Sequence, residues 1–167
     1  MTVVSVESTD FTQNPLDIME EIVLANDWAF ERSSHDEMLV EVAGRWCSYR
    51  LFFFWQDEIS AMQFSCQFDM KVPEGRRPEV CELLATINER MWLGHFDVDS
   101  DESVPMFRHT TLLRGHQGAS VEMLEDLVDI ALSECERFYP AFDFVVAGGR
   151  SASEAVTAAI LDTVAEA

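Results

Sequence analysis

Three aspartates at alternate positions, Asp97, Asp99 and Asp101, have the spacing of the first oxygen ligands of a calcium loop. The pattern fails where such a loop is most demanding. Glu102 stands where a glycine must make the sharp turn, and Arg108 stands where a bidentate glutamate must close the shell. The segment therefore reads as a solvated hairpin tip. The histidines, His35, His95, His109 and His116, show neither HxxxH nor HExxH spacing, and none stands in ligand register with a cysteine, so no metal is expected. His95 and His109 could face each other across a late hairpin as a partly exposed cross-strand pair. There is no GxSxG, and no serine or cysteine sits at a strand-to-helix elbow. Gly148-Gly149-Arg150-Ser151 opens a helix and could recruit an anion through backbone N–H groups. It lacks the Walker lysine and a preceding GxxxxG, which leaves a helix cap. Carboxylate pairs such as Glu20-Glu21, Asp57-Glu58 and Asp101-Glu102 are chance neighbours in a chain with 31 acidic residues. The sequence thus assigns no catalytic residue, no cofactor site and no metal ligand, and the expectation is a protein that is not an enzyme.

The charge narrows the partners further. Lys plus Arg number 11 against 31 Asp plus Glu in 167 residues, a net charge of −20. Such a chain is repelled by nucleic-acid phosphates and by anionic membranes unless a basic stripe intervenes. Lys71 is the one lysine, and Arg76-Arg77 is the one adjacent basic pair. The longest uninterrupted apolar run, residues 51–55, is far short of a membrane span. No Lys or Arg precedes Arg32, and no apolar segment of a secretory signal is present. A cytoplasmic protein with neither nucleic acid nor membrane as partner is expected. The cysteines, Cys47, Cys66, Cys81 and Cys135, form no CxxC pair, and each lies within an apolar pattern, which predicts reduced core thiols.

Hydrophobic periodicity supplies the elements that must position these residues. With 48% hydrophobic residues the chain can bury a core. Residues 1–13 read as a flexible tail, and residues 14–167 as one domain. Asn14 and Pro15 have the form of an N-cap and first helical position, ahead of Leu16, Met19, Ile22 and Val23 at helical spacing, in a helix ending near Trp28. From residue 29 to 72 the period becomes two: Met38, Val40 and Val42, then Met62, Phe64, Cys66, Phe68 and Met70, each face one way. A second helix carries Val80, Leu83, Leu84, Ile87 and Met91 on its stripe and runs to Trp92, with Gly94 as its stop. Two strands follow at about 96–99 and 104–113. A third helix carries Leu124, Leu127, Val128, Ala131, Cys135 and Phe138, with Pro140 kinking or ending it. Ser151 and Glu154 have capping-box spacing for a terminal helix. The order α-β-β-β(-β)-α-β-β-α-α is that of an α+β fold, an antiparallel sheet packed on one face by helices.

One stretch is apolar on both faces. In residues 46–55, Cys47, Tyr49, Leu51, Phe53 and Trp55 suffice for a core face, yet the other face still carries Trp46, Phe52 and Phe54. Clustered aromatics on an open sheet face mark a protein interface, the favoured reading here. The competing reading is a second core layer covered by the C-terminal helix.

Ile87-Asn88, Gly94-His95-Phe96-Asp97, Val104, Phe107-Arg108, and after a long helix Tyr139-Pro140-Ala141-Phe142, Val145-Val146 and Gly148-Gly149-Arg150-Ser151 together resemble the YbjN-domain family of bacterial proteins. The resemblance covers about residues 15–165 and implies a sensory transduction regulator. It also implies a fold similar to that of the dimeric chaperones of type III secretion, and no established catalytic residues. Composition, pattern and resemblance converge on a non-enzymatic protein-interaction module. It is expected to be a homodimer, with Trp46, Phe52 and Phe54 as its protein-interface residues, and to bind a further, unidentified protein. The alternative is a small-ligand-binding protein or enzyme with a pocket near the 94–113 hairpin.

Overall fold

The computed structural model describes residues 12–148 and 151–165, with side chains to residue 161. Most of the expected tail, residues 1–11, lies outside the described residues. Thr12 is buried and accepts a hydrogen bond from Ser60 Oγ at 3.2 Å. The first helix, α1 (Pro15–Ala25), starts as its sequence dictates, with Asn14 Oδ1 accepting the Leu16 N–H at 2.9 Å and proline filling the position whose N–H has no helical partner.

Four strands follow: β1 (Ala29–Arg32), β2 (Glu37–Ala43), β3 (Ser48–Gln56) and β4 (Ala61–Gln67). Then come α2 (Arg77–Asn88), the hairpin β5 (His95–Val98) and β6 (Pro105–Leu112), the long α3 (Val121–Gly148), and α4 (Ala152–Ala165). The six strands form one sheet in the order β1-β2-β3-β4-β6-β5, antiparallel at every pairing. The α+β class and the helix-covered sheet expected from the sequence are therefore present. Met38, Val40 and Val42, Tyr49, Leu51, Phe53 and Trp55, and Met62, Phe64 and Cys66 alternate onto one face and are buried there. Beneath α1, α2 and α3 this face closes over an aromatic cluster, in which the Phe96 ring lies 5.8 Å from Phe107, 5.8 Å from Phe138 and 5.7 Å from Phe142.

Several boundaries differ from the sequence expectation. The second helix ends at Asn88 rather than at Trp92, because the Asn88 side chain is turned to the sheet: it donates to Phe96 O at 2.9 Å and accepts the Phe96 N–H at 2.7 Å. That pair saturates backbone groups on the edge strand, where an unpaired strand is a liability. Trp92, freed from the helix, is 90% exposed. Cys81 is exposed and not a core thiol, because the α2 stripe is set by Val80, Leu83 and Ile87, and a residue one step from Val80 turns about 100° away. Cys66 and Cys135 are buried as free thiols in hydrogen-bond contact, and burial pushes the Cys135 thiol well above the usual range. The capping box is formed, with the Glu154 N–H donating to Ser151 Oγ and the Ser151 N–H to Glu154 Oε2, both at 3.3 Å.

Pro140 neither ends α3 nor leaves a broken bond behind. Proline has no N–H to offer the carbonyl four residues earlier, Glu136 O. Trp46 Nε1 donates to that carbonyl at 3.1 Å, and its ring stacks on Tyr139 at 6.2 Å with planes 2° apart. The turn is held from a second point, as the Arg45 N–H donates to Glu136 Oε1 at 2.7 Å. Trp46→Phe keeps the stacking ring and loses the donor, so a loss of about 1 kcal/mol is expected. In a Pro140→Ala background the helical N–H is restored to the backbone at that position, and Trp46→Phe should then cost less. A double-mutant cycle by urea unfolding measures the coupling, and purely additive losses would refute this role for the indole.

Candidate binding face

The described helices pack on one side of the sheet, so the outward residues of the strands form a second, helix-free face. The register aligns them in rows. Leu39, Phe52, Ser65, Arg108 and His95 form one row across β2-β3-β4-β6-β5. Glu37, Phe54, Gln63 and Thr110 form the adjacent row. Phe52 and Phe54, both half-buried, therefore lie side by side on this face as the sequence predicts. Trp46 does not join them. The strand begins at Ser48, and the turn before it, closed by Gly44 N–H to Cys47 O at 2.9 Å, delivers the indole to α3. The three residues expected to act together are thus split between two surfaces.

Between the two rows lies a hollow of about 340 Å³. Phe52 and Phe54 form one wall, and His95, Arg108 and Thr110 the other. Gln63 and Ser65 lie between the walls, and the strand segments at Phe64 and His109 complete the floor. The hollow therefore joins the aromatic pair expected at an interface to the 94–113 hairpin, where the alternative reading put a pocket. Arg108 Nη1 donates to Asp97 Oδ2 at 3.0 Å, an exposed ion pair that orients the guanidinium.

His95 and His109 are not cross-strand partners. His95 pairs with Arg108, and His109, one step along β6, lies opposite Phe64 in the register and so alternates toward the covered face. Burial pushes the His109 imidazole below the usual histidine range, and the nearby His95 adds to the effect. As pH falls below the ordinary value of 6.5, the unfolded chain binds this proton more readily than the folded one, so stability is lost with falling pH. His109→Gln is expected to flatten that slope, read as the urea midpoint against pH. An unchanged slope would remove His109 as its source.

The aspartates act separately. Asp99 Oδ1 accepts the N–H groups of Asp101 at 2.8 Å and Glu102 at 2.6 Å, while Asp97 pairs with Arg108. Among the described residues no group of three or more His, Cys, Asp or Glu side chains is arranged to hold a metal ion. Of the glycine-rich segment before α4, Gly149 and Arg150 lie outside the described residues. No helix among the described residues is long and apolar enough to cross a membrane.

Sequence reasoning finds the aromatics of this face and, as an alternative, a pocket at the 94–113 hairpin, but it neither joins the two nor names Arg108 as a lining residue. Along the chain Arg108 stands out as a misfit in a calcium loop and, beside Phe107, in the family resemblance, and nothing local to it points to Phe52. Trp92 is missed as well, since helical spacing assigns it to the end of α2.

Residues 15–144 match the family model YbjN, described as "Putative bacterial sensory transduction regulator". A solved structure described as "YbjN, a putative transcription regulator from E. coli" is similar to this chain with a TM-score of 0.51 and 13% sequence identity, covering 72% of this chain and 85% of that one. At that identity the likeness speaks for the fold. No curated protein matches the chain. With the family pattern running from the first turn of α1 almost to the end of α3, the chain belongs to the YbjN family.

Proposed function

We propose that this chain is a non-enzymatic, cytoplasmic regulator module that acts by binding protein through the helix-free face of its sheet, and that a second copy of the chain is its partner there. The observation that carries the reading is the pairing of Phe52 and Phe54 on a face that no described helix covers. Half-buried aromatics at the centre of a sheet face provide the apolar core that an interface needs.

Charge supports self-association in particular. The acids of the face other than Asp97, namely Glu31, Glu37 and Glu41, stand on β1 and β2, while Arg50 stands on β3 and Arg108, with its partner Asp97, on β6 and β5. A two-fold axis near Phe52 lays the acidic half of one copy over the cationic half of the other, the self-complementarity that an isologous interface requires. Net repulsion between two chains of charge −20 opposes this at long range, and salt screens it over about 8–10 Å at physiological strength. A sensory or chaperone-like role would then consist of exchanging this partner for another protein segment.

Sedimentation velocity tests the reading. A dimer is expected at tens of micromolar protein, and Phe52→Ser with Phe54→Ser should shift the chain toward monomer while far-ultraviolet circular dichroism stays native. A wild-type monomer throughout that range would overturn it.

A further inference from the structure

We propose that the hollow between Phe52 and Arg108 is a binding site for a small aromatic carboxylate. Its two sides match the two ends of such a molecule. Phe52 and Phe54 offer ring faces and edges on one side, and the Arg108 guanidinium stands on the other, one of its five N–H donors committed to Asp97. Its planar fork fits a planar carboxylate, Thr110 adds a short polar side chain to the same wall, and Ser65 adds another between the walls. Although the chain has 31 acidic residues, no acid among the described residues lines this hollow. The acids of the face stand instead on β1 and β2, and Asp97 is occupied in orienting Arg108. An anion approaching the protein therefore meets repulsion almost everywhere and a cationic, ring-lined site here. The volume of about 340 Å³ lies at the small end of ligand pockets, room for a fused two-ring molecule.

The site stands on the same face as the proposed dimer contact but does not depend on it. A second copy seated on Phe52 and Phe54 would cover the hollow, so ligand and self-association exclude one another, which would make the module responsive to a small molecule.

The test titrates 2-naphthoate into the full chain labelled with nitrogen-15, with sedimentation velocity on the same samples. Saturable amide shifts are expected at residues 52–54, 63–65, 95 and 108–110, with a Kd below about 1 mM. Neutral 2-naphthalenemethanol and acetate should each bind at least roughly tenfold more weakly, since each lacks one half of the match. Arg108→Gln should weaken 2-naphthoate roughly tenfold or more, and Arg108→Lys should fall between, keeping the charge but losing the fork. Shifts scattered over the surface, an Arg108→Gln variant that binds like wild type, or no saturation by about 5 mM in samples that sediment as monomer would each overturn the site. Binding by a chain that sediments as a monomer at every concentration would overturn the dimer reading and leave the ligand site standing. A dimer whose monomer fraction fails to bind would overturn the ligand site alone.

Discussion

Phe53→Ala is expected to lower the unfolding free energy by about 3–5 kcal/mol, the loss that follows when a packed aromatic leaves a cavity. Phe53 is 1% exposed, its ring lies 4.9 Å from Phe64, and it shares the covered face with Leu51 and Trp55. Its neighbours Phe52 and Phe54 point the opposite way, so replacing either by serine should cost the monomer much less while weakening association. The contrast is sharp because side chains on a strand alternate strictly, and a slip of one residue would exchange the two outcomes. Urea unfolding of the three single variants, with sedimentation of each, reads both effects. A harmless Phe53→Ala beside an unfolding Phe52→Ser would mean that the sheet faces are reversed.

Gly94→Ala is expected to cost about 2–4 kcal/mol, because backbone strain and overpacking act together there. Gly94 has φ +66°, in the left-handed region that a side chain disfavours. A Cβ at this position would overlap the Phe107 ring and come within 2.9 Å of Arg108 O. Neither can retreat, since Phe107 is fully buried and the oxygen belongs to the β6 backbone. Two other glycines separate the contributions. Gly115 has φ +83° with open space around it, so Gly115→Ala should show only the backbone cost of about 1 kcal/mol. Gly75 has neither constraint, and Gly75→Ala should be neutral or slightly stabilising. Thermal melts of the three variants test this, and equal losses at Gly94 and Gly115 would show that the crowding at Phe107 is relieved at no cost. Because Gly94 leads directly into His95, its replacement should also disturb the hollow, visible as weaker 2-naphthoate binding.

Much of the fold is legible in the sequence because its signals are local. Asn14 and Pro15 begin α1, Ser151 and Glu154 close a capping box, and the alternation through Met38, Val40 and Val42 and through Tyr49, Leu51, Phe53 and Trp55 names the covered face. Each signal depends on residues within a few positions of one another, where steric preference and solvent exposure act directly. The same locality explains the errors. Period two extends the third strand back to Trp46, whereas its indole is claimed by Glu136 O, 90 positions away, an acceptor exposed by Pro140. Helical spacing carries α2 on to Trp92, whereas Asn88 is diverted to the backbone of Phe96.

The candidate site divides along the same line. Its aromatic half was determined by sequence alone, because a strand apolar on both sides must present one side to something other than its own core. The cationic half was decided by the tertiary structure. Arg108 and His95 reach the row of Phe52 only because the chain, on leaving β4, crosses through α2, lays β5 at the edge and returns β6 between β5 and β4. Strand order is set by which pairings bury the most apolar surface together, a property of the assembled sheet that no single segment carries.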